Sequence, residues 1–317
     1  LAQMGHAVQI CKEALDRIAE LVEADERVVF IGSDLGSGVM EKAMADHPDR
    51  VLMEGIAEQH LVGMASGLAL EGFVPYVHTI GTFLTRRALE QVIVDTALHS
   101  LPVRLIASGG GMVYAPLGPT HQAIDDFALM RAVPGMSVVA PIDPLEMQEA
   151  ISALANWPGP AYVRVAKGGE PIVTEPGFTL GHFRILRAGD SCLVITTGAA
   201  GHEVLTAAAI VAAHGLHPMV VHVPTIAPLN EAQLLDLLER FQNILIVEEH
   251  LPNGGLWTSV VEAAMRAGLN RRIHQASLPN GYAQKYGTQM DHWKACGLSS
   301  DELARRITTL SGGTIRE

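Results

Sequence analysis

Short β-branched runs alternate along the chain with longer stretches whose apolar residues recur at helical spacing. The first strand is predicted at "RVVFIG", Arg27–Gly32. A helix follows over about Ala57–Leu70, then a strand at "VPYVHTI", Val74–Ile80. "TRRALEQVIVDTALH" predicts a helix with Leu89, Val92, Ile93 and Thr96 on one face. "PVRLIAS" is a strand running into the Gly- and Pro-rich loop "GGGMVYAPLGPTHQ". Beyond it come a short helix "DDFALMRAV", a strand "MSVVAPI", a helix "PLEMQEAISALANW" and a strand "PAYVRVAK". "GGEPIVTEPGFTLGHFRILRAGD", Gly168–Asp190, breaks the rhythm with Gly, Pro and acidic residues and is placed as the linker. The alternation then restarts: strand "SCLVITTG", helix "GHEVLTAAAIVAAHG", strand "HPMVVHVP", helix "NEAQLLDLLERF", strand "NILIVEEH", helix "GGLWTSVVEAAMRAG". Such alternation predicts parallel sheets covered on both faces by helices, and so two doubly wound α/β domains, residues 1–172 and 186–317. The opening "LAQMGHAVQICKEALDRIAELVEA" has an amphipathic helix pattern rather than that of a signal peptide, and the closing "SGGTIRE" is expected to fray.

Composition narrows the function. With 317 residues, 48% apolar and 18% charged, the chain can bury a large core, and the low charge hints that part of its surface is covered by another subunit. A net charge of −12 argues against nucleic acid and anionic membrane surfaces as partners. Cys11, Cys192 and Cys296 are far apart and form no CxxC, which reads as reduced thiols in a cytoplasmic protein. No apolar run approaches the ~20 residues of a membrane span.

Several residues stand out chemically. Glu58 heads the apolar helix "EQHLVGMASGLAL", whose gaps are filled by Gly63, Ala65, Ser66, Gly67 and Ala69. A carboxylate at a helix start is ordinarily a surface residue favoured by the helix dipole. The small neighbours point instead to close packing and burial, and a buried carboxyl group tends to hold or share a proton near neutral pH. "LGPTHQ", Leu117–Gln122, places Thr120, His121 and Gln122 in a row after a Gly-Pro turn. Its bland account is a helix cap, but it follows a strand's carboxyl end, where open α/β sheets bind ligands, so His121 is a candidate. Phe83 in "GTFLTRR" would on its own be a core residue. "GSDLGSG", Gly32–Gly38, has neither GxGxxG nor a Walker lysine, which argues against nucleotide binding. "EEH", Glu248–His250, matches no common metal-ligand spacing and reads as a strand-to-loop junction.

"GIAEQH", "GTFLTRRALEQV" and "GPTHQ", in this order and spacing, resemble the thiamine-diphosphate enzymes of the transketolase family, and the Ala-Glu-Gln-His wording is nearest to deoxyxylulose-phosphate synthase. The resemblance covers nearly the whole chain: a pyrimidine-binding domain followed by a transketolase C-terminal domain. It implies that Glu58 hydrogen-bonds N1′ of the cofactor's aminopyrimidine and shares a proton with it, favouring the imino tautomer that deprotonates the thiazolium carbon. It implies that Phe83 stacks on the same ring, and that Asp34, with Arg86 as a weaker match, lies close to the cofactor. His121 would hydrogen-bond substrate oxygens near the reacting carbons, with Ser37, Arg164 and Lys167 on the substrate's far end. The implied reaction transfers a two-carbon ketol unit from a ketose to an aldose. The family's diphosphate and metal motif, Gly-Asp-Gly, does not occur here. The resemblance therefore implies a partner, an N-terminal-half subunit carrying that motif and Mg²⁺ or Ca²⁺, in an α2β2 heterotetramer, with no metal on this chain.

The substrate end departs from the family pattern. Leu117 stands where transketolases carry Asp, and family arginine and histidine positions fall near Ala7 and Gly109. These losses predict a donor whose far end is not an ordinary phosphate: a sulfonate, a shortened sugar phosphate or an unphosphorylated ketose. Three other readings compete. One is the β subunit of a 2-oxoacid dehydrogenase, against which "GPTHQ" and "YVRVAKGG" argue. Another is deoxyxylulose-phosphate synthase, normally one long chain. The third is a scaffold subunit without chemistry, against which the joint presence of Glu58, Phe83 and His121 argues.

Overall fold

A computed structural model describes residues 10–166 and 168–313 of the chain. It divides into two compact units. The first comprises residues up to Gly110 together with Leu129–Leu180; the second comprises Gly111–Ala128 and the chain from Gly181 onward.

In chain order the first unit opens with α1 (Ile10–Ala24), β1 (Val28–Gly32), α2 (Ser37–Asp46), β2 (Val51–Met53), α3 (Glu58–Leu70) and β3 (Val74–Ile80). A π-helical turn (Phe83–Arg87), a single helical turn α4 (Leu89–Gln91) and a second π-helical stretch (Val92–Ala97) lead to β4 (Arg104–Ser108). After α5 (Asp126–Arg131) come β5 (Ser137–Val139), α6 (Pro144–Leu154) and β6 (Ala161–Val165). The six strands stand in the order β5-β6-β4-β3-β1-β2 and all run parallel. Every residue of β1, β4 and β6 is buried, as parallel strands covered on both faces require. The chain steps from β1 outward to β2 and then back across β1 to β3. This reversal opens a crevice at the carboxyl ends of β1 and β3, where sheets of this class bind ligands.

The second unit carries β7 (Arg184–Arg187), β8 (Leu193–Thr196), α7 (Ala200–Ala212), β9 (Met219–His222), β10 (Thr225–Ala227), α8 (Glu231–Arg240), β11 (Asn243–Val247), α9 (Leu256–Arg266), β12 (Arg272–Ala276), α10 (Gln289–Cys296) and α11 (Ser300–Leu310). Its sheet has the order β12-β11-β8-β9-β7, parallel except for β7 against β9. Two apolar clusters pack it. One joins α7 and α11 to Val194, Val220 and Leu245, and the other joins α8 and α9 to Ile195, Val221 and Ile246.

The predicted helix after β3 differs from expectation. The two π-helical stretches shift its buried stripe to Leu84, Ala88, Val92 and Thr96, and Ile93 is exposed rather than facing the core. The stretch read as a linker, Gly168–Asp190, contains β7, a four-residue edge strand with a register irregularity and an arginine at each end. Such a strand carries no alternating signal to read. The start of the predicted N-terminal helix, the end of "SGGTIRE", and Lys167 lie outside the described residues.

Asp143 ties the first unit's chain together. It is fully buried and caps α6 by accepting from the Glu146 N–H at 2.9 Å. It also accepts from the Val173 and Thr174 N–H groups, both at 2.8 Å, and from the Thr174 hydroxyl at 3.0 Å. Replacing Asp143 by Ala removes a helix cap and leaves buried donors unpaired. A loss of about 3 kcal/mol in urea denaturation is expected. A loss below about 0.5 kcal/mol, the range of neutral surface changes, would show that these contacts are dispensable.

Candidate active site

Glu58 is the first residue of α3, and the face it shares with Leu61, Val62, Ala65, Ser66 and Ala69 is buried, with the helix packed on β3. Of the small residues, Ala65, Ser66 and Ala69 pack as expected, while Gly63 is half-buried and Gly67 exposed. Ser66 bonds the Val62 carbonyl at 2.9 Å and Thr96 Oγ1 at 2.7 Å, so α3 and the second π-helical stretch lie in close contact. The Glu58 side chain is 1% exposed, which rules out a surface cap. A bare carboxylate at this depth loses several kcal/mol of hydration. The structure supplies partners: Arg87 Nη1 lies 2.6 Å from Oε2, and Thr79 Oγ1 donates to Oε1 at 3.4 Å.

The π-helical turn positions Arg87. The Ala88 N–H bonds back to the Phe83 carbonyl at 3.2 Å, five residues away. This wider turn brings the fourth residue after Phe83 nearly above it and carries the third aside. The guanidinium carbon of Arg87 accordingly lies 4.3 Å from the centroid of the Phe83 ring. Phe83 and Glu58, singled out separately in the sequence, thus share one neighbour. Arg87 was not among the candidates; its alignment with Phe83 depends on the π-helical register, which the local sequence does not announce. Arg86, the candidate arginine, is half-buried on the same turn.

Asp34 lies in the loop after β1, exposed, with Oδ1 accepting from the Ser33 hydroxyl at 3.1 Å; Ser37, also exposed, begins α2. Gly36 between them holds a left-handed conformation (φ 78°), and a Cβ there would meet Leu15. His78 on β3 supports this loop from below, its carbonyl accepting from the Ser33 N–H at 3.2 Å. Its Nε2 lies 2.8 Å from Ser108 Oγ, which in turn meets Cys11 Sγ at 3.4 Å. Complete burial pushes the His78 imidazole down from its ordinary 6.5 to about 4. Arg164 lies on β6, almost fully buried, its stem so close to Gly110 that a Cβ there would collide with it.

His121 belongs to the second unit, on a 3-10 turn (Pro119–His121), half-buried, with Thr120 Oγ1 2.9 Å from its Nδ1. The loop carrying it is clasped by "EEH". Glu249 accepts from the Met112 N–H at 2.9 Å and from Trp293 Nε1 at 2.8 Å. Ile124 O accepts from the Leu251 N–H at 2.8 Å, and His250 stacks on Phe127 with ring centroids 5.3 Å apart. Gly111 has φ 63°, and a Cβ there would run into the Glu249 carboxylate. Leu117, in place of the family aspartate, is 55% exposed. Among the described residues no group of three His, Cys, Asp or Glu is placed to hold a metal ion, and no helix is long and apolar enough to cross a membrane.

A buried acid and an aromatic ring joined through one guanidinium, near the carboxyl ends of a parallel sheet and followed by a second α/β unit, place the chain among two-domain α/β proteins with a site at the topological switch point. Residues 7–169 match the transketolase pyrimidine-binding domain and residues 181–303 the transketolase C-terminal domain, and the chain belongs to the transketolase family. That domain pair implies thiamine diphosphate as cofactor. The chain is 34% identical over 312 residues to a transketolase family protein, y4mN, of Sinorhizobium fredii, covering 96% of this chain and 87% of that one. It is 30% identical over 299 residues to a transketolase C-terminal section of Methanocaldococcus jannaschii, covering 92% and 93%. A solved split-gene transketolase, an inactive β4 tetramer, superposes with TM-score 0.86 at 25% identity, over 97% of this chain and 99% of that one. Against 1-deoxy-D-xylulose-5-phosphate synthase of Nitratidesulfovibrio vulgaris the identity is 33% over 303 residues, and the chain spans about half, 47%, of that relative's length.

His78, buried neutral, stabilises the fold fully above pH 6.5 and progressively less as pH falls toward 4. The loss is at most about 3 kcal/mol. Denaturation of wild type and His78→Asn at pH 7 and pH 4.5 should show a shallower acid loss in the variant; equal slopes would assign that loss to other groups.

Proposed function

We propose that this chain is the pyrimidine-binding and C-terminal subunit of a two-subunit, thiamine-diphosphate-dependent transketolase. The observation that carries the reading is the buried Glu58 carboxylate sharing a single planar, nitrogen-bearing neighbour with the Phe83 ring. The Arg87 guanidinium is flat, delocalised and an N–H donor, and it both covers the ring and pairs with the acid. An aminopyrimidine offers the same flat π face and ring nitrogens, so these residues fit the cofactor. Two relatives and one solved structure matched along nearly their full lengths support the subunit reading. The apolar side chains of Ile56, Leu70, Val94 and Leu98, exposed on or beside α3 and the second π-helical stretch, support a covering partner.

On this reading the partner is an N-terminal-half transketolase subunit that holds the diphosphate and Mg²⁺ or Ca²⁺, in an α2β2 heterotetramer. The domain limits we assign are 1–172 and 186–317. Thiamine diphosphate, when bound, supplies the carbon nucleophile for breaking and making the bond next to a ketose carbonyl. The chain's own residues do the rest. Glu58 would hydrogen-bond the ring nitrogen from its buried position and share a proton with it. Phe83 fixes the plane of the ring, and Asp34 and Arg86 flank it. His121 orients the substrate's oxygens and exchanges protons with them, with Ser37, Arg164 and Lys167 toward the far end. Leu117, unable to accept a hydrogen bond where the family carries Asp, points to a donor other than the ordinary ketose phosphates. The identity to deoxyxylulose-phosphate synthase supports a second reading, formation of deoxyxylulose 5-phosphate.

Two measurements on the complex with the partner subunit test this. Glu58→Ala should lower ketol transfer by about 10²–10⁴-fold, the scale of a lost acid–base group, whereas a scaffold subunit would tolerate the change. A donor panel should favour ketoses with a sulfonated, shortened or absent phosphate end over xylulose 5-phosphate and fructose 6-phosphate. Equal use of the two phosphates would refute the altered donor, and deoxyxylulose 5-phosphate as product would establish the second reading.

A further inference from the structure

Arg87 makes both of the contacts that the functional reading assigns to the cofactor's ring. Its Nη1 lies 2.6 Å from Glu58 Oε2, and its guanidinium carbon lies 4.3 Å from the Phe83 centroid. The carboxylate is 1% exposed, and Thr79 stands on its other oxygen. Little room is left for a second planar group at Oε2 while the guanidinium is there. The Arg87 side chain, in contrast, is 45% exposed on a long stem, so water can take its charge when it leaves. Burial fixes the acid, and the arginine is the movable member of the pair.

We propose that Arg87 is a built-in competitor for the aminopyrimidine, filling its seat in the free chain and swinging out to solvent as the ring enters. The proposal rests on the thiamine-diphosphate reading above. It gives the buried acid a partner at all times: a cation in the free chain, a ring nitrogen in the loaded one. The exchange changes what Glu58 can do. Paired with a guanidinium that never gives up its proton, the carboxylate acts only as an acceptor. Against a ring nitrogen it can share a proton, which is taken up from solvent as the guanidinium leaves. Departure of Arg87 therefore switches Glu58 from a structural anion to an acid–base group, and does so only when the seat is taken. The apparent affinity for the ring is lowered by the fraction of time the seat is free. If Arg87 holds it about nine-tenths of the time, its removal tightens binding about tenfold.

The test is isothermal titration calorimetry of the full chain with the cofactor's ring fragment, 4-amino-5-hydroxymethyl-2-methylpyrimidine, and with thiamine diphosphate and Mg²⁺. Arg87→Met keeps much of the apolar stem and removes the competing plane. It should bind the fragment about tenfold more tightly than wild type. Millimolar methylguanidinium should reverse that gain in the variant and leave wild type unchanged. Arg87→Lys, which keeps a charge for Glu58 but loses the flat fork, should bind more tightly than wild type by a smaller factor, and it decides the matter if the Met variant fails to fold. Equal or weaker binding by the variants would overturn the competition and make Arg87 a residue that holds the site together. Absence of binding by wild type and variants alike, to fragment and cofactor, with the partner subunit present as well as without it, would instead remove the cofactor reading, and the competition with it.

Discussion

A carboxylate buried at the head of an apolar helix is the constraint around which the first unit is built. Hydration lost on burying Glu58 has to be offset locally, and three features of the neighbourhood answer that need. Thr79 comes from the end of β3, Arg87 from the turn that follows it, and the free N–H groups of α3 lie at the acid's own end. All three are delivered by one β-strand, one turn and one helix that pack together, so the acid's position and the local fold are mutually dependent. The π-helical widening belongs to the same solution, since it aligns Arg87 with Phe83 and hence with Glu58. π-Helical turns inside helices concentrate at functional sites, and this one links an aromatic ring to an acid.

The fold was legible where strands were long and buried on both faces. "VPYVHTI" and "NILIV" are mainly apolar, β-branched-rich runs, and they form β3 and β11. Elements at the margins of the sheets were not legible. β2 has three residues, β7 four, and β12 carries three polar side chains in five residues with only Ala276 fully buried, so tertiary pairing rather than local pattern makes them strands. α2, α10 and α11 went unread as well. α2 hides behind a glycine-rich start that looks like a turn, and α10 buries only Trp293, whereas α11 carries a clear amphipathic stripe, Leu303, Ala304, Ile307 and Thr308, that the sequence reading passed over.

At the candidate site, burial of Glu58 was legible from the apolar helix it heads and from Ala65, Ser66 and Ala69, which share its buried face, whereas Gly63 and Gly67 pack against little. The acid's partner was not legible. Choosing between Arg86 and Arg87 depends on a backbone hydrogen bond spanning five residues, and nothing in "FLTRR" announces that register. The acid pair in "EEH" was read as a junction, and it does sit at one. Glu248 caps the start of α9, whereas the work of Glu249 as a clasp for a loop more than a hundred residues away is a long-range contact that no local pattern encodes.

That clasp bears on how such proteins recombine. The loop from Gly111 to Ala128 lies inside the stretch matched to the pyrimidine-binding domain, yet it packs as part of the other compact unit, through Met112, Glu249 and Trp293. A chimera spliced at the inter-domain stretch would join the His121 loop of one parent to the fastening of another. Transplanting the loop intact means moving its distant anchor residues along with it, so inheritance of the loop's conformation would follow the tertiary seam rather than the order of residues along the chain.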